Sequence, residues 1–263
     1  MATIIATDIG QSDYMKQSLT DLHTHNLPEF DDGAKSLDIA LQMLRMQKKS
    51  GVDRVALTPH YYPLREELQP FLERRQRAYD MLLSRWDGET MPDLRLGAEV
   101  RYSPLLADMN LRALTIGESD YLLLELSDTE TPTHIEEVLK RMLQQGITPI
   151  LAHVERCYYF RQMPDRLFDL IAMGALAQVT AKALVDRKDQ KFAAACIKNG
   201  NAQIIASDIH DSSEGKACIG NFSAKLNEGW ILRGEEFAKA VWENNLPPAF
   251  TIKPITKTLF GYG

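Results

Sequence analysis

Histidine placement is the feature of this sequence that points most directly to chemistry. The chain has six histidines. Five of them lie at, or within three residues of, the C-terminal end of a strand-like apolar run: His23, His25, His60, His153 and His210. Neutral imidazole nitrogens bind divalent metal ions, and the C-terminal ends of parallel barrel strands meet at one rim. The placement therefore predicts a metal site at that rim, whereas His134 opens a helix pattern and has no predicted role.

Two short motifs strengthen this prediction. The segment Asp21-Leu22-His23-Thr24-His25 places two imidazoles two residues apart. Since side chains alternate along a strand, both rings face the same side. Two histidines that only hydrogen-bond within a strand are the alternative interpretation of this motif taken alone. The second motif, Asp208-Ile209-His210, directly follows another apolar run.

Acidic residues occur in the same kind of position. Glu99 follows a glycine and an alanine within a strand-like run, and Glu125 follows three leucines. A buried carboxylate needs a cation or strong hydrogen-bond donors. With Asp32 and Asp208, these acids and the histidines offer more ligands than one zinc ion uses. Mixed nitrogen and oxygen donors predict a multinuclear site for Mn²⁺, Fe or Zn²⁺.

The elements that must position these residues alternate along the chain. Most strand-like runs are continuously apolar, as expected for parallel strands that are covered on both faces. The predicted strands are 19–25, 52–58, 94–102, 121–126, 147–152, 175–180 and 202–207. The predicted helices are 36–50, 65–86, 133–145, 165–173, 186–199, 215–226 and 235–244. Ser36 and Thr133 are the predicted caps of the first and third, with Glu136 in a capping box, and the second is expected to bend or restart at Pro70. Seven such units predict an α/β fold and favour a closed or distorted barrel over a doubly wound open sheet.

Composition narrows the classes of function. The 30 basic and 36 acidic side chains give a net charge of −6, which argues against a protein that grips nucleic acid through bulk charge. We find no apolar run of the ~18–20 residues that a membrane span needs and no secretory signal. The sequence therefore predicts a cytoplasmic protein without membrane insertion. Residues 1–18 are interpreted as an N-terminal extension and residues 19–263 as one barrel domain.

The three cysteines offer no catalytic thiol. Cys157, Cys196 and Cys218 are far apart and odd in number, which predicts reduced, partly buried thiols. Thiol-based tyrosine phosphatases need an arginine six residues after the cysteine. Met163, Ala202 and Ala224 stand at those positions, so this class is excluded.

With these residues identified, the chain resembles the polymerase and histidinol phosphatase (PHP) superfamily. The matching motifs are Asp-Leu-His-Thr-His at 21–25, Thr-Pro-His at 58–60, Gly-Ala-Glu at 97–99, Ala-His at 152–153 and Ser-Asp-Ile-His at 207–210. Within it, the chain is similar to the bacterial CpsB-type capsular and exopolysaccharide protein-tyrosine phosphatases. That narrower resemblance includes Asp-Asp-Gly-Ala-Lys-Ser at 31–36, Leu-Leu-Glu at 123–125 and Ile-Leu-Ala-His-Val-Glu-Arg at 150–156.

The resemblance implies a distorted (β/α)₇ TIM-like barrel that holds three divalent ions. Manganese is the favoured metal, with iron, zinc or magnesium as alternatives. By position, the implied metal ligands are His23, His25, Asp32, His60, Glu99, Glu125, His153, Asp208 and His210. Arg156 becomes the implied phosphate-binding residue, His210 a candidate proton donor and Asp21 a residue that orients an imidazole.

The implied activity is metal-dependent hydrolysis of protein phosphotyrosine, on a bacterial tyrosine kinase that regulates capsular or exopolysaccharide synthesis. Two alternatives stay open: a small-molecule phosphatase acting on a histidinol-phosphate-like or nucleotide substrate, and a non-catalytic metal-binding partner of the polysaccharide machinery. One departure concerns the arginine that this family often carries after its D-x-H motif. Here the segment reads Asp-Ser-Ser-Glu-Gly-Lys at 211–216, so Lys216 is the candidate substitute.

Overall fold

A computed structural model describes residues 18–186, 189–213, 218–223, 226–258 and 261–263. The strands are β1 (Leu19–Thr24), β2 (Val52–Leu57), β3 (His60–Tyr61), β4 (Asp93–Leu96), β5 (Glu99–Arg101), β6 (Tyr121–Glu125), β7 (Thr148–Leu151), β8 (Leu176–Thr180), β9 (Ile204–Ala206), β10 (Lys257–Thr258) and β11 (Gly261–Tyr262). The helices are α1 (Leu37–Lys49), α2 (Leu68–Leu83), α3 (Ile135–Gln144), α4 (Tyr158–Gln162), α5 (Pro164–Ala172), α6 (Gln190–Lys198), α7 (Ile219–Ser223) and α8 (Glu228–Glu243).

The first nine strands form a closed parallel barrel. Hydrogen bonding runs in the orders β1-β2-β4 and β3-β5-β6-β7-β8-β9. The two series join because β2–β3 and β4–β5 are each one interrupted strand: Gly97 N donates to Leu57 O at 2.9 Å, and Glu99 N donates to Pro59 O at 3.0 Å. Closure comes from His25 N, which donates to Ile209 O at 3.0 Å. The predicted seven-stranded, distorted barrel is therefore confirmed.

The interruptions explain why two of the predicted strands differ from the observed ones. Pro59 has no N–H to donate to a ladder, so the second strand breaks before His60. The run predicted as 94–102 breaks at Gly97 and Ala98. Three 3₁₀ turns, at Pro104–Asp108, Arg112–Leu114 and Ile116–Glu118, follow this third strand where the other units carry an α-helix.

The predicted start of α1 is confirmed, because a side-chain cap sets it. Ser36 caps α1, since its hydroxyl accepts from Ile39 N at 3.3 Å. Pro70 lies in the first turn of α2, where a proline is tolerated, so the predicted bend is absent from this unbroken helix. The predicted Thr133 cap is wrong: the N-cap is His134, in the left-handed region with φ 59°.

The last helix closes the N-terminal end of the barrel. It begins seven residues earlier than predicted because Asn227 caps it, with its side chain accepting from Trp230 N. Thr20 N donates to Glu235 Oε2 at 2.7 Å, and Tyr121 OH donates to Asn245 O at 2.6 Å. Thr20 and Tyr121 lie at the N-terminal ends of barrel strands. Helix α8 and Asn245, which follows it, therefore cover the N-terminal end of the barrel.

The hydrophobic core has two parts. The larger part lies mainly between the strands and the surrounding helices. The smaller part joins strand residues such as Leu22, Leu123 and Ile150 to Phe237 and Val241 of α8. Full burial of one such side chain contributes about 1.5–3 kcal/mol, so this second cluster stabilises both the barrel and its closing helix.

The three cysteines are in the state that the sequence predicts. Cys157, Cys196 and Cys218 are free and buried, as predicted. Burial raises the pKa of each thiol, and the nearby carboxylate of Asp128 adds to the effect at Cys157. Buried thiols of raised pKa are poor nucleophiles.

Among the described residues, every helix is too short or too polar to span a lipid bilayer.

Candidate metal centre

The nine predicted ligands converge at the C-terminal mouth of the barrel. β1 carries His23 and ends beside His25, and β3 begins at His60. Glu99 begins β5, Glu125 ends β6, and His153 and Asp208 follow β7 and β9. Distant parts of the chain therefore supply side chains to one place, and three groups of them have ligand atoms within 4.8 Å of one another.

The innermost group is fully enclosed. It consists of His23, His25, Glu99 and Asp208. His23 Nε2 lies 3.2 Å from Glu99 Oε2 and 3.2 Å from Asp208 Oδ1. His25 Nε2 lies 3.3 Å and 3.4 Å from the same two oxygens. Two imidazole nitrogens and two carboxylate oxygens thus face one small volume, which suits a divalent cation.

A second group extends from Glu99 towards the rim. His60 Nδ1 lies 3.0 Å from Glu99 Oε2 and 3.9 Å from Glu125 Oε2. On the other side, His153 Nε2 lies 2.9 Å from Glu99 Oε1. Glu99 therefore belongs to both the first and the second group.

The third group lies at the outer edge of the mouth. Asp32 Oδ1 is 3.5 Å from both His60 Nε2 and His210 Nε2. Its side chain is 67% exposed, whereas His23, His25 and Glu99 are inaccessible. The rings of His25 and His210 stack with centroids 4.0 Å apart. This group is therefore the part of the site that solvent reaches.

Unsatisfied polar atoms test whether a cation fits these groups. His60 Nδ1, Glu99 Oε2 and Glu125 Oε2 are buried and form no well-aligned hydrogen bond, although His60 Nδ1 and Glu99 Oε2 lie 3.0 Å apart. Buried polar groups in proteins are normally hydrogen-bonded, and an unpaired one costs free energy. These three atoms also belong to one of the candidate ligand groups. The donor set therefore fits divalent metal ions, and a cation would satisfy the atoms that the protein leaves unpaired.

Two residues that sequence analysis missed orient the imidazoles. Asp31 Oδ2 lies 2.9 Å from His25 Nδ1 and also accepts from His60 N at 3.1 Å. Gln178 Oε1 lies 3.1 Å from His23 Nδ1 and accepts from His153 N at 3.0 Å. Such contacts fix the ring orientation and leave Nε2 of His23 and His25 directed at the cluster.

Asp21 does not orient an imidazole ring, contrary to the prediction. Its Oδ1 accepts from Ser207 N at 3.0 Å, and its Oδ2 accepts from Gln47 Nε2 at 3.2 Å. Asp21 therefore ties β1 to the end of β9. Asp31 was detectable as the acid beside Asp32, but Gln178 lies in an ordinary apolar strand and gave no signal.

The loop that carries Asp31 packs tightly against the first strand. Ala34 N donates to His25 O at 3.0 Å, and Gly33 N donates to Asp31 Oδ1 at 2.9 Å. A Cβ at Gly33 would lie 2.0 Å from His25 O. Only glycine permits this approach, which explains the Asp-Asp-Gly-Ala order in the sequence.

Two predicted ligands have strained backbones. His153 and Asp208 have φ values of 30° and 54°, which residues other than glycine rarely adopt. Such conformations cost about 1–3 kcal/mol each and occur mostly at functional sites. His153 N is held by Gln178, and Asp208 N donates to His23 O at 2.9 Å. The surrounding bonds thus hold both side chains at the mouth.

Electrostatics couple the histidines to the acids. Burial alone would lower the pKa of His25, but hydrogen bonds to Asp208, Asp31 and Glu99 raise it well above its usual value. His153 is also buried, and its bond to Glu99 raises its pKa to about 9. His210 differs, since burial and the neighbouring His25 lower its pKa. In the protein without metal, carboxylates therefore favour protonated histidines where a cation would otherwise supply the positive charge.

Arg156 lies at the edge of the cluster, as its prediction as a phosphate-binding residue requires. Its guanidinium contacts the Asp208 carboxylate, and its side chain is 39% exposed. Burial alone would lower its pKa, but Asp208 and Glu155 raise it, so the group stays cationic. A half-exposed guanidinium beside predicted metal ligands suits the recognition of an anion.

Two predictions lie outside the residues that the structure describes. Lys216, the candidate substitute for the family's second arginine, falls in the segment 214–217. Residues 1–17 of the predicted N-terminal extension also lie outside.

Comparison with known protein families places this chain in one of them. Residues 19–245 match the family model described as capsular polysaccharide synthesis, CpsB/CapC. The chain belongs to the CpsB/CapC family. This membership agrees with the resemblance drawn from the sequence motifs.

Relatives in this family are named as phosphatases. The chain is 30% identical over 198 residues to a "putative tyrosine-protein phosphatase CapC" of Staphylococcus aureus, covering 73% of this chain and 77% of the relative. It is 28% identical over 199 residues to "tyrosine-protein phosphatase YwqE" of Bacillus subtilis, covering 73% and 78%.

A solved structure supports the fold. The match is to a chain from the crystal structures of YwqE of Bacillus subtilis and CpsB of Streptococcus pneumoniae, which are described as metal-dependent tyrosine phosphatases. The TM-score is 0.78 at 20% identity, with 90% of this chain and all of that chain covered. At this identity the likeness shows the shared barrel fold.

Proposed function

We propose that this protein is a divalent-metal-dependent phosphatase that hydrolyses phosphotyrosine in proteins. The observation that carries the proposal is the convergence of five histidines and four carboxylates at one barrel mouth, with Arg156 beside them. Membership of the CpsB/CapC family, and the names of the relatives, select phosphotyrosine among phosphomonoesters.

The proposed ligand set is the nine residues named from the sequence. Three groups of ligand atoms support a count of three ions, and His25, His60 and Glu99 each belong to two of the groups. The set mixes imidazole and carboxylate donors without a thiolate, which suits Mn²⁺, Fe or Zn²⁺. Among these, manganese is proposed from the resemblance to the CpsB-type phosphatases. When bound, such cations polarise phosphoryl oxygens and lower the pKa of coordinated water towards ~7.

The residues of the chain then position the substrate. Arg156 is proposed to bind the non-bridging phosphate oxygens, because its guanidinium is exposed on one side and fixed by Asp208 on the other. Its planar fork stabilises charge that spreads over these oxygens during phosphoryl transfer. Asp31 and Gln178 keep the imidazoles aligned throughout.

Proton donation to the leaving group makes a small contribution in this proposal. A tyrosyl oxygen has a pKa of ~10 and leaves more easily than an alkoxide. The lowered pKa of His210, caused by burial and by His25, keeps its imidazole neutral at pH 7. We therefore propose that His210 acts mainly as a metal ligand and not as the proton donor.

The biological partner follows from the family. We propose a bacterial tyrosine kinase of capsular or exopolysaccharide synthesis as the substrate, and the cytoplasm as the location. Open access from solvent at Asp32 and Arg156 is compatible with a protein side chain that reaches the mouth.

The decisive assay removes all metal with a chelator and adds back Mn²⁺, Fe²⁺, Zn²⁺ and Mg²⁺ singly. Substrates are a phosphotyrosine peptide, a phosphoserine peptide of the same sequence and histidinol phosphate. We expect Mn²⁺ to restore the highest activity, with the phosphotyrosine peptide as the best substrate. Preference for histidinol phosphate would replace the proposal with a small-molecule phosphatase, and inactivity with every ion would favour a non-catalytic role.

A further inference from the structure

A pocket of about 540 Å³ opens beside the metal cluster. It is lined by Asp128, Thr129, Arg156, Tyr158, Arg161 and Asp189. Arg156 belongs to both places, since it lines this pocket and contacts Asp208 in the cluster. A substrate whose phosphate binds Arg156 therefore has its neighbouring residues at this pocket.

The charges of the lining are unevenly satisfied. Arg161 Nη1 lies 2.8 Å from Asp189 Oδ1, and the guanidinium of Arg156 is paired with the Asp208 carboxylate. Arg161 also donates to Arg156 O at 3.3 Å, which fixes the two arginines relative to each other. Among the described residues, the Asp128 carboxylate has no ion-pair partner within 4.0 Å and no hydrogen-bond partner, although its charge contributes to the raised pKa of Arg156. The lining therefore presents one unpaired negative charge.

An exposed aromatic ring lies next to this charge. The side chain of Tyr158 is largely accessible, at 54% exposure. Its backbone N donates to Asp128 O at 2.8 Å, so the two residues are fixed side by side across two loops. A cation is attracted both by a carboxylate and by the face of a tyrosine ring.

We propose that this pocket binds the residues that flank the phosphotyrosine and favours a lysine or arginine among them. The inference rests on the proposed function, because it assumes a phosphotyrosine peptide at the cluster. It assigns Asp128 as a residue that determines specificity, with Tyr158 providing the adjoining aromatic surface. Neither residue belongs to the proposed metal or phosphate site.

The test uses two phosphotyrosine peptides that are identical except for the residues on either side of the phosphotyrosine, lysine in one and glutamate in the other. A partly exposed ion pair is worth about 0.2–1 kcal/mol, which corresponds to about 1.4-fold to fivefold, so we expect the wild-type protein to prefer the lysine peptide by up to about fivefold in kcat/KM. Asp128→Asn should remove the preference, and Asp128→Lys should reverse it. The metal-loaded full-length protein is used throughout.

A matched control separates this local effect from the charge of the whole protein. Asp93 is exposed at the start of β4, at the opposite end of the barrel. Asp93→Lys changes the net charge by the same amount and should leave the peptide preference intact. Hydrolysis of p-nitrophenyl phosphate, which has no flanking residues, should stay within about twofold of wild type in every variant.

The outcomes distinguish the two proposals. Equal hydrolysis of both peptides by the wild-type protein would overturn the pocket assignment and leave the proposed function standing. An equal loss with Asp128→Asn on peptides and on p-nitrophenyl phosphate would also overturn it, since Asp128 would then act on the phosphate site. Hydrolysis of p-nitrophenyl phosphate with neither peptide accepted would overturn the proposed function, and the pocket assignment with it.

Discussion

The two ends of this barrel are built from the same strands but have opposite character. At the C-terminal mouth, ionisable side chains are buried against one another, buried polar atoms such as Glu125 Oε2 form no hydrogen bond, and two backbones are strained. At the N-terminal end, α8 packs Phe237 and Val241 onto apolar strand residues. The mouth concentrates features that cost stability, and the closed end supplies apolar burial that offsets them.

This contrast separates stability from chemistry within one fold. A barrel whose active site is made from strand tips and loops can tolerate strain there because the opposite end and the outer layer hold the strands. Substitutions at the mouth should therefore change metal binding and activity, whereas substitutions at the closed end should change stability. Substitutions at each end test this separation of activity from stability.

The largest effect is expected from removal of an inner ligand. His23→Ala and Asp208→Ala should each lower kcat/KM more than about 1,000-fold, because metal ions supply several kcal/mol of transition-state stabilisation. Both variants should lose bound metal, as measured by plasma mass spectrometry, with Asp93→Asn as the control. Full activity in either variant would contradict a shared cluster.

At the closed end, Phe237→Ala should lower the free energy of unfolding by about 3–5 kcal/mol, the usual cost of removing a buried aromatic side chain. Phe237 is 1% exposed. Denaturant titration measures the loss, and activity per folded molecule should stay within about twofold of wild type. A large fall in kcat with unchanged stability would mean that the two ends are not separable.

The pH dependence of stability offers a further test of the mouth. The folded pKa of His153 is about 9, against an ordinary value of 6.5. Its contribution is therefore complete below pH 6.5 and is lost as the pH rises through 9. Metal-stripped protein should lose about 3 kcal/mol of unfolding free energy over this window. Metal-loaded protein should show a flatter profile, because a ligating imidazole is already neutral.

A smaller effect is expected from Asp31→Asn, which keeps the shape of the side chain and removes its charge. Residues that orient metal ligands typically contribute 10–100-fold to metal affinity. Calorimetric titration with Mn²⁺ should show a loss in that range while circular dichroism stays unchanged. Asp32→Asn, at the adjacent acid, is measured in the same way for comparison. An unaltered Mn²⁺ affinity in Asp31→Asn would show that His25 needs no such support.

Sequence alone predicted the barrel because its strands are continuously apolar and end in ionisable residues. It also named the nine side chains that gather at the mouth, since types such as histidine are rare and their motifs occur in order. Their role as ligands stays a prediction. Thr133 failed as a cap because the chain enters α3 through His134 in a left-handed conformation, which no local pattern announces.

What the sequence could not reveal were contacts between segments far apart in the chain. Gln178 contacts the ring of His23 and the backbone N of His153, and Asp21 joins β1 to the end of β9. Such bonds depend on strand order and register, which sequence spacing does not encode. The same holds for the pocket beside Arg156, whose lining combines the segments after β6 and β7, helix α4 and the residue before α6.

The most direct test of the central claim is anomalous diffraction from crystals of the full-length protein grown with Mn²⁺. The structure predicts manganese peaks at the C-terminal mouth, enclosed by His23, His25, Glu99 and Asp208 and extending towards His60. A protein that shows no peak at the mouth, or binds manganese only elsewhere, would contradict this account.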